Sequence, residues 1–320
     1  MDTSGKLRHL SLCTGYGGID IGLKRALGDI SAVAYVEIEA FAVENLVAKI
    51  ESNLLDVAPI WTDLKTLAWS SFRGCVDIVT GGFPCQPFSV AGKKDADTDA
   101  RHLWPYIVKG IAELGRPPLV FLENVEGIIS SRLKGDQWSD PESTPVLLHV
   151  LRELERMDYH ATAGIFSAAE VGAPHQRKRV FVLGVRSDLG QSGRAIVSTM
   201  LRATSGEGSS VEHTTGKRSQ GCRSQQGKTR VLAKSAESSA YPAPRGSKQR
   251  PFEPPRITTK IKSEVGRIVN GAAYRVGYAQ LCRSVDNRVG ELRLLGNGVV
   301  PATADRAFRV LWARLEESHF

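Results

Sequence analysis

The sequence predicts an α/β fold, with one large domain and a smaller, irregular region set into it. Three observations carry this. Short apolar runs at residues 10–13, 32–36, 60–61, 76–80 and 118–122 alternate with helix-spaced segments, the pattern of a sheet covered by helices. These runs lead into glycines or carboxylates, where open α/β sheets place their ligands. From about residue 186 to 262 the composition turns to Ser, Gly, Thr, Arg, Lys and Gln, and hydrophobic periodicity nearly vanishes. A chain of 320 residues can bury a full core for such an arrangement.

The elements follow in order. Leu10-Ser11-Leu12-Cys13 reads as a strand, Thr14-Gly15-Tyr16-Gly17-Gly18 as a tight loop, and residues 19–27 as a helix. A glycine turn feeding a helix N-terminus converges backbone N–H groups on one point, as nucleotide cradles do. Its spacing differs from G-x-G-x-x-G, so a nicotinamide dinucleotide is not indicated. The second strand runs to Val36 and into Glu37-Ile38-Glu39, followed by Val43, Leu46, Val47 and Ile50 at helical spacing. An acid at that strand end suits ribose hydroxyls. The third strand, Ile60-Trp61, leads to Asp63, which equally suits a cap for a helix over 64–69.

The fourth strand, residues 76–80, opens into Gly81-Gly82-Phe83-Pro84-Cys85-Gln86-Pro87-Phe88-Ser89. Two prolines stiffen the loop that presents the thiol. A buried, inert cysteine is the alternative. A polar loop at 93–99 precedes a helix over 101–114. The fifth strand, 118–122, ends at Glu123-Asn124-Val125, where a buried carboxyl is expected to have a raised pKa and suit a general acid. Residues 146–157 are amphipathic, with Leu147, Leu148, Leu151 and Leu154 on one face. Residues 159–166 and 179–185 read as a strand pair, with Arg177 and Arg179 expected on one side. In the last helix Ala304, Ala307, Phe308, Leu311, Trp312 and Leu315 form an apolar stripe that must pack on the first domain.

Composition limits the function classes. With no apolar run long enough to span a membrane, no signal-peptide pattern and five widely spaced cysteines without a CxxC pair, the expectation is a cytoplasmic protein with neither disulfide framework nor bound metal. Residues 186–262 hold 15 Lys+Arg against 5 Asp+Glu, a net of +10, while the remainder holds 27 against 29, a net of −2. One segment therefore carries the whole excess of the +8 chain, the footprint of a polyanion partner or of a solvated basic loop.

Taken together, Gly81–Ser89 by its GGFPCQPFS motif, Glu123-Asn124-Val125, the Arg177-x-Arg179 pair, the Gly15-Tyr16-Gly17-Gly18 turn and the terminal Gly296-Asn297-Gly298-Val299-Val300-Pro301 resemble the DNA (cytosine-5) methyltransferases of bacterial and phage type. The similarity covers roughly residues 7–185 and 287–320. It implies a doubly wound, Rossmann-like domain binding S-adenosyl-L-methionine (residues 1–185), a target-recognition region (186–286) and a C-terminal segment packing back on the core (287–320). It further implies methylation of double-stranded DNA, in a restriction-modification system or as a solitary enzyme; a monomer without membrane association is expected. By motif, Cys85 matches the nucleophile, Glu123 the acid beside N3 of the target cytosine, Arg179 the contact to the base O2, and Arg177 its partner near the nucleophile loop. Tyr16, Gly17 and Gly18 match the methionine-side turn, Glu37 the ribose ligand, Ile38 the adenine-stacking position and Asp63 the adenine-amine contact. Leu103, Asn297 and Val299 match further positions of the cofactor pocket.

Ser11 stands where the family usually has aspartate, His175 where it has glutamine, and Gly298 where serine is common. No arginine-rich motif is recognisable before the last helix. Two other readings compete: a tRNA cytosine methyltransferase of the same fold, and a catalytically idle sequence-specific DNA-binding protein. The long basic segment favours DNA recognition over the first. The intact Cys85, Glu123 and Arg179 set argues against the second.

Overall fold

The computed structural model describes residues 6–84, 103–134, 138–205 and 294–319. Cys85 and most of the expected recognition region lie outside the described residues. The strands are β1 (Leu7–Leu12), β2 (Ile30–Val36), β3 (Ile60–Trp61), β4 (Ile78–Gly81), β5 (Leu119–Val125), β6 (Tyr159–Ser167) and β7 (Lys178–Arg186). They form one sheet in the order β3-β2-β1-β4-β5-β7-β6. β3, β2, β1, β4 and β5 are parallel neighbours, whereas β7 runs antiparallel to both β5 and β6. The strand order reverses between β1 and β4, so the loops leaving these strands border the crevice of a doubly wound sheet.

Helices cover both faces. α1 (Gly18–Leu27), α5 (Gln191–Ala203) and the C-terminal α6 (Pro301–His319) share one core with β5 and β7. There Phe121 stacks on Phe181 at 5.5 Å and meets Phe308 edge-on at 5.3 Å. α3 (Trp104–Glu113) and α4 (Val146–Arg156) cover the other face, burying Trp104, Ile107, Ile111, Val150 and Leu154 with Leu12, Val79 and Val120. α2 (Ala40–Glu51) lies over β2, where Leu46 joins Tyr35 and Leu55. The expected α6 stripe is buried in full, from Ala304 to Leu315.

Several local expectations change. Residues 64–69 are not one helix but two short 3-10 turns, Leu64–Thr66 and Trp69–Phe72, separated by the extended Leu67. The Asp63 carboxylate caps the first by accepting from Lys65 N at 2.9 Å. α4 buries Val146, His149, Val150 and Leu154, and Leu148 is exposed. Leu147 and Leu151 pack half-buried on the core, and His149 Nδ1 donates at 2.8 Å to the buried Asp140 carboxylate, which also accepts from Arg156 at 2.8 Å. α5 opens the basic segment with ordered helix. Only Val197 and Leu201 are buried in its thirteen residues, which is why periodicity gave no sign of it.

Gly110 of α3 lies against the Trp69 indole, and a Cβ there would stand 2.3 Å from ring carbons. Gly110→Ala is therefore expected to destabilise the fold by about 1–3 kcal/mol through overpacking, despite alanine's better helix propensity. Urea unfolding checks this; a variant as stable as wild type would show that the contact yields freely.

Candidate active site

The site is assembled from the loops at the carboxyl ends of β1, β2, β4 and β5, closed by residues 294–300. On the β1 side the chain leaves Leu12 through Cys13, Gly15 and Gly17, all at positive φ (48°, 57° and 79°). Gly15 N donates to Glu37 Oε2 at 2.7 Å and Glu39 N to Oε1 at 2.9 Å. Burial raises the Glu37 pKa, and these backbone donors oppose the shift. Backbone N–H groups of Gly15, Ile38 and Glu39 engage the carboxylate, whose oxygens retain capacity for a hydroxyl. Beside it Ile38 leaves an apolar side chain 68% exposed at the rim. Asp63 sits at the next strand end, spent in part on its cap. Leu103 precedes α3 and packs, half-buried, on the core cluster that includes Leu12 and Val36.

The C-terminal segment fits onto this turn. Tyr16 is 1% exposed, and its hydroxyl donates to the Val299 carbonyl. A Cβ on Gly18 would stand 2.1 Å from Val299 O, and one on Gly298 would stand 1.8 Å from the Tyr16 ring. Neither glycine has room for a side chain. Val299 is buried, whereas Asn297 is exposed on the surface of the segment.

Across the crevice, Glu123 lies within β5 rather than at its end, because β7 continues the ladder through Val125↔Arg179. That antiparallel register puts Glu123 and Arg179 on one face, diagonally opposed. Arg179 Nε stands 2.9 Å from Glu123 Oε1, with the N–H not aligned on the oxygen. The acid is 5% exposed. Burial pushes its pKa up to about 7, and the charges of Arg179 and Arg177 hold it from rising further. Gly82, leaving β4, is the neighbour that makes room: a Cβ there would stand 3.1 Å from Glu123 Oε2.

Arg177 precedes β7 with φ 35°, an uncommon conformation for a residue with a side chain. Its Nη2 donates to the carbonyls of Gly296, at 2.8 Å, and Gly298. Arg179 Nη2 reaches Gly296 O at 3.3 Å. So the two arginines do converge, and what they hold in common is the C-terminal segment. Any contact of Arg177 with the loop of Cys85 lies outside the described residues.

Sequence reasoning gave no role to Asn124. Its Nδ2 donates to Phe83 O at 2.9 Å, tying the loop that leads to Cys85 onto β5, while its Oδ1 accepts from Val125 N. The only signal was its place beside Glu123 in the quoted motif. The Tyr16 hydroxyl was missed too, since its partner is 283 residues away.

The residues present fit S-adenosyl-L-methionine. The carboxylate with spare acceptor capacity, the open apolar Ile38 and Gly15, whose Cβ position faces open space, lie along one rim. Because Gly298 and the Tyr16 ring occupy adjoining space, Gly298→Ser is expected to displace the segment and weaken cofactor binding about ten-fold or more. Isothermal titration with S-adenosylhomocysteine checks this. Full affinity in the variant would contradict the steric reading.

The chain matches the family model described as C-5 cytosine-specific DNA methylase over residues 7–273. It is 30% identical over 179 residues to the type II methyltransferase M.NgoMIV of Neisseria gonorrhoeae, covering 56% of this chain and 52% of that protein. To M.HgiCII of Herpetosiphon aurantiacus it is 29% identical over 189 residues, 58% of this chain and 38% of the relative. The match thus spans about half, or less, of these relatives' length. Among solved structures, the Dnmt2 methyltransferase of S. pombe aligns with a TM-score of 0.45 at 22% identity, over 58% of this chain and 51% of its own. With most of its length matched by that family model, the chain belongs to the C-5 cytosine-specific DNA methylases.

Proposed function

We propose that the protein transfers a methyl group from S-adenosyl-L-methionine to C5 of a cytosine flipped out of a specific double-stranded DNA sequence, through a covalent adduct of Cys85 with C6. The observation that carries this reading is the buried Glu123–Arg179 pair beside the loop leading to Cys85. An acid titrating near neutrality next to a fixed guanidinium is what a cytosine ring needs when it takes up a nucleophile.

C5 of cytosine is a poor nucleophile. Addition of the Cys85 thiolate at C6 breaks the C5–C6 double bond and places negative charge on the ring. Glu123, protonated below its raised pKa of about 7, gives a proton to N3 and relieves that charge. Arg179 binds the O2 of the same ring and holds the carboxyl in place. The resulting enamine makes C5 nucleophilic. The cofactor supplies an electrophilic methyl on a sulfonium leaving group. Loss of the C5 proton to a base, which the residues do not identify, re-forms the double bond and expels the thiolate, and the N3 proton returns to Glu123. Glu37, Ile38 and Asp63 hold the ribose and adenine, and Tyr16, Gly17 and Gly18 the methionine end, with Leu103, Asn297 and Val299 completing the pocket.

A thiolate is required, and an ordinary thiol has a pKa of about 8.5, so the positive charge of Arg177 and Arg179 supports the reactive form. No duplex base exposes C6 to a thiol, so the cytosine must leave the stack at a cost of a few kcal/mol. Phosphate contacts from the basic region, net +10 over residues 186–262, offset that cost.

The test is methyl transfer from radiolabelled cofactor to separate DNA and tRNA substrates, with bisulfite mapping of the product. Label in DNA cytosine at one sequence is expected, and Glu123→Gln should lower the rate by about 10²–10⁴-fold. Label in tRNA alone would reject the reading. Duplexes carrying 5-fluorocytosine should trap a covalent adduct with wild type; an equal yield from Cys85→Ala would reject the nucleophile.

A further inference from the structure

Under the Tyr16 turn lies a buried polar cluster that the proposed chemistry does not use. Lys49, on α2, is 2% exposed. Its Nζ donates to the backbone carbonyl of Tyr16 and stands 4.7 Å from the centre of the Tyr16 ring. Asp20 of α1 is the charged group that faces it. Asp20 is 7% exposed, with the Ser11 hydroxyl beside it. His9 of β1 faces Asp20 from the other side, Nδ1 to Oδ1 at 3.6 Å, while His9 Nε2 is bound to Thr80 Oγ1 at 2.6 Å. Asn45, one helical turn before Lys49, is buried with both amide atoms unpartnered.

A lysine on an amphipathic helix normally keeps its ammonium in water. Burying it is costly, and here the full depth of α2 is used to bring one donor to one carbonyl. That carbonyl belongs to the residue whose hydroxyl binds Val299, so Lys49 acts on both halves of the closure at once. A cation lies against the face of the Tyr16 ring, and Gly298 packs close beside the ring.

We propose that Lys49 is a positioning residue for the cofactor: its ammonium clamps the Tyr16 carbonyl and ring, and so sets the conformation of the glycine turn that receives the methionine end of S-adenosyl-L-methionine. The proposal rests on the cofactor reading given above. Burial pushes the Lys49 amine down to about 7, with Asp20 pulling it back in part. The ammonium is thus present below that pH and lost above it, and the clamp weakens as pH rises through neutrality. The groups that face the cluster are Asp20 from α1, His9 from β1 and the Tyr16 hydroxyl from the turn. Glu123, Arg177 and Arg179 act electrostatically on Tyr16 and not on Lys49.

The experiment is calorimetric titration of S-adenosylhomocysteine between pH 6 and 8.5 into wild type, Lys49→Met and the double variant Asp20→Asn/Lys49→Met. The double variant removes the carboxylate that the single one would leave buried without its cation, and it serves if Lys49→Met does not fold. Wild-type affinity is expected to fall as pH rises past about 7. The variants should bind about ten-fold more weakly at pH 6, the scale of a hydrogen bond to a charged group, with no such fall. A lysine serving stability alone would lower the unfolding temperature of the variants and leave the wild-type pH dependence in place. Variants with wild-type affinity and wild-type pH dependence would overturn the proposal and leave the cofactor reading standing. Absence of binding by wild type at every pH would reject the cofactor reading itself, and the role of Lys49 with it.

Discussion

Burial of the Glu123 carboxylate against the Arg179 guanidinium is the interaction on which the arrangement of the site depends. Two forces compete at this acid. Removal from water favours the neutral form, and the two arginines favour the charged one. Burial prevails, so the carboxyl sits near neutrality rather than in the usual carboxylate range. The balance needs both strands in register. β7 must run antiparallel to β5 to bring Arg179 diagonally across from Glu123, and the tail of β5 must stay paired to keep the acid inside the ladder. The departure of one strand from an otherwise parallel neighbourhood therefore has a chemical consequence at this point of the sheet.

The same two arginines fasten the C-terminal segment. Arg177 and Arg179 both donate to the Gly296 carbonyl, and Arg177 also to Gly298, while Tyr16 donates to Val299. Backbone carbonyls about 120 residues downstream thus become structural parts of the crevice. Arg177 holds an unfavourable backbone conformation to do so, a strain of order 1 kcal/mol or more that the surrounding contacts must offset. α6 then anchors the segment by burying Phe308, Leu311 and Trp312 on the sheet. The mixed nature of these contacts explains why the last helix, remote in sequence from the turn, must fold back onto the first domain.

Much of this was legible beforehand, and the part that was not shares a physical cause. The strand ends at Leu12, Val36, Trp61 and Gly81 are marked by apolar runs that stop at glycine or an acid, and the α6 stripe is a clean helical period. What local pattern does not encode is tertiary pairing. Nothing in residues 64–69 announces that Leu67 stays extended. Nothing in the four leucines of α4 reveals that Asp140 draws His149 inward. α5 buries too few residues to show a period. Lys49 shares the inward stripe of α2 with Ala42, Asn45 and Leu46, but its charge type suggests solvent, and nothing local announces the Tyr16 carbonyl that its ammonium meets. Gly298, met in sequence as a departure from a common serine, becomes intelligible once the Tyr16 ring is seen to fill the space a side chain would take.

The most direct measurement of the central claim is the titration of Glu123 itself, followed by the carboxyl ¹³C resonance of glutamate-labelled protein and assigned through Glu123→Gln. The account predicts a midpoint near pH 7, with Arg179→Met moving it higher because a cation that favours the charged form is gone. A midpoint below pH 5 would contradict it, since the arginines would then outweigh burial and the acid would hold no proton to give at neutrality.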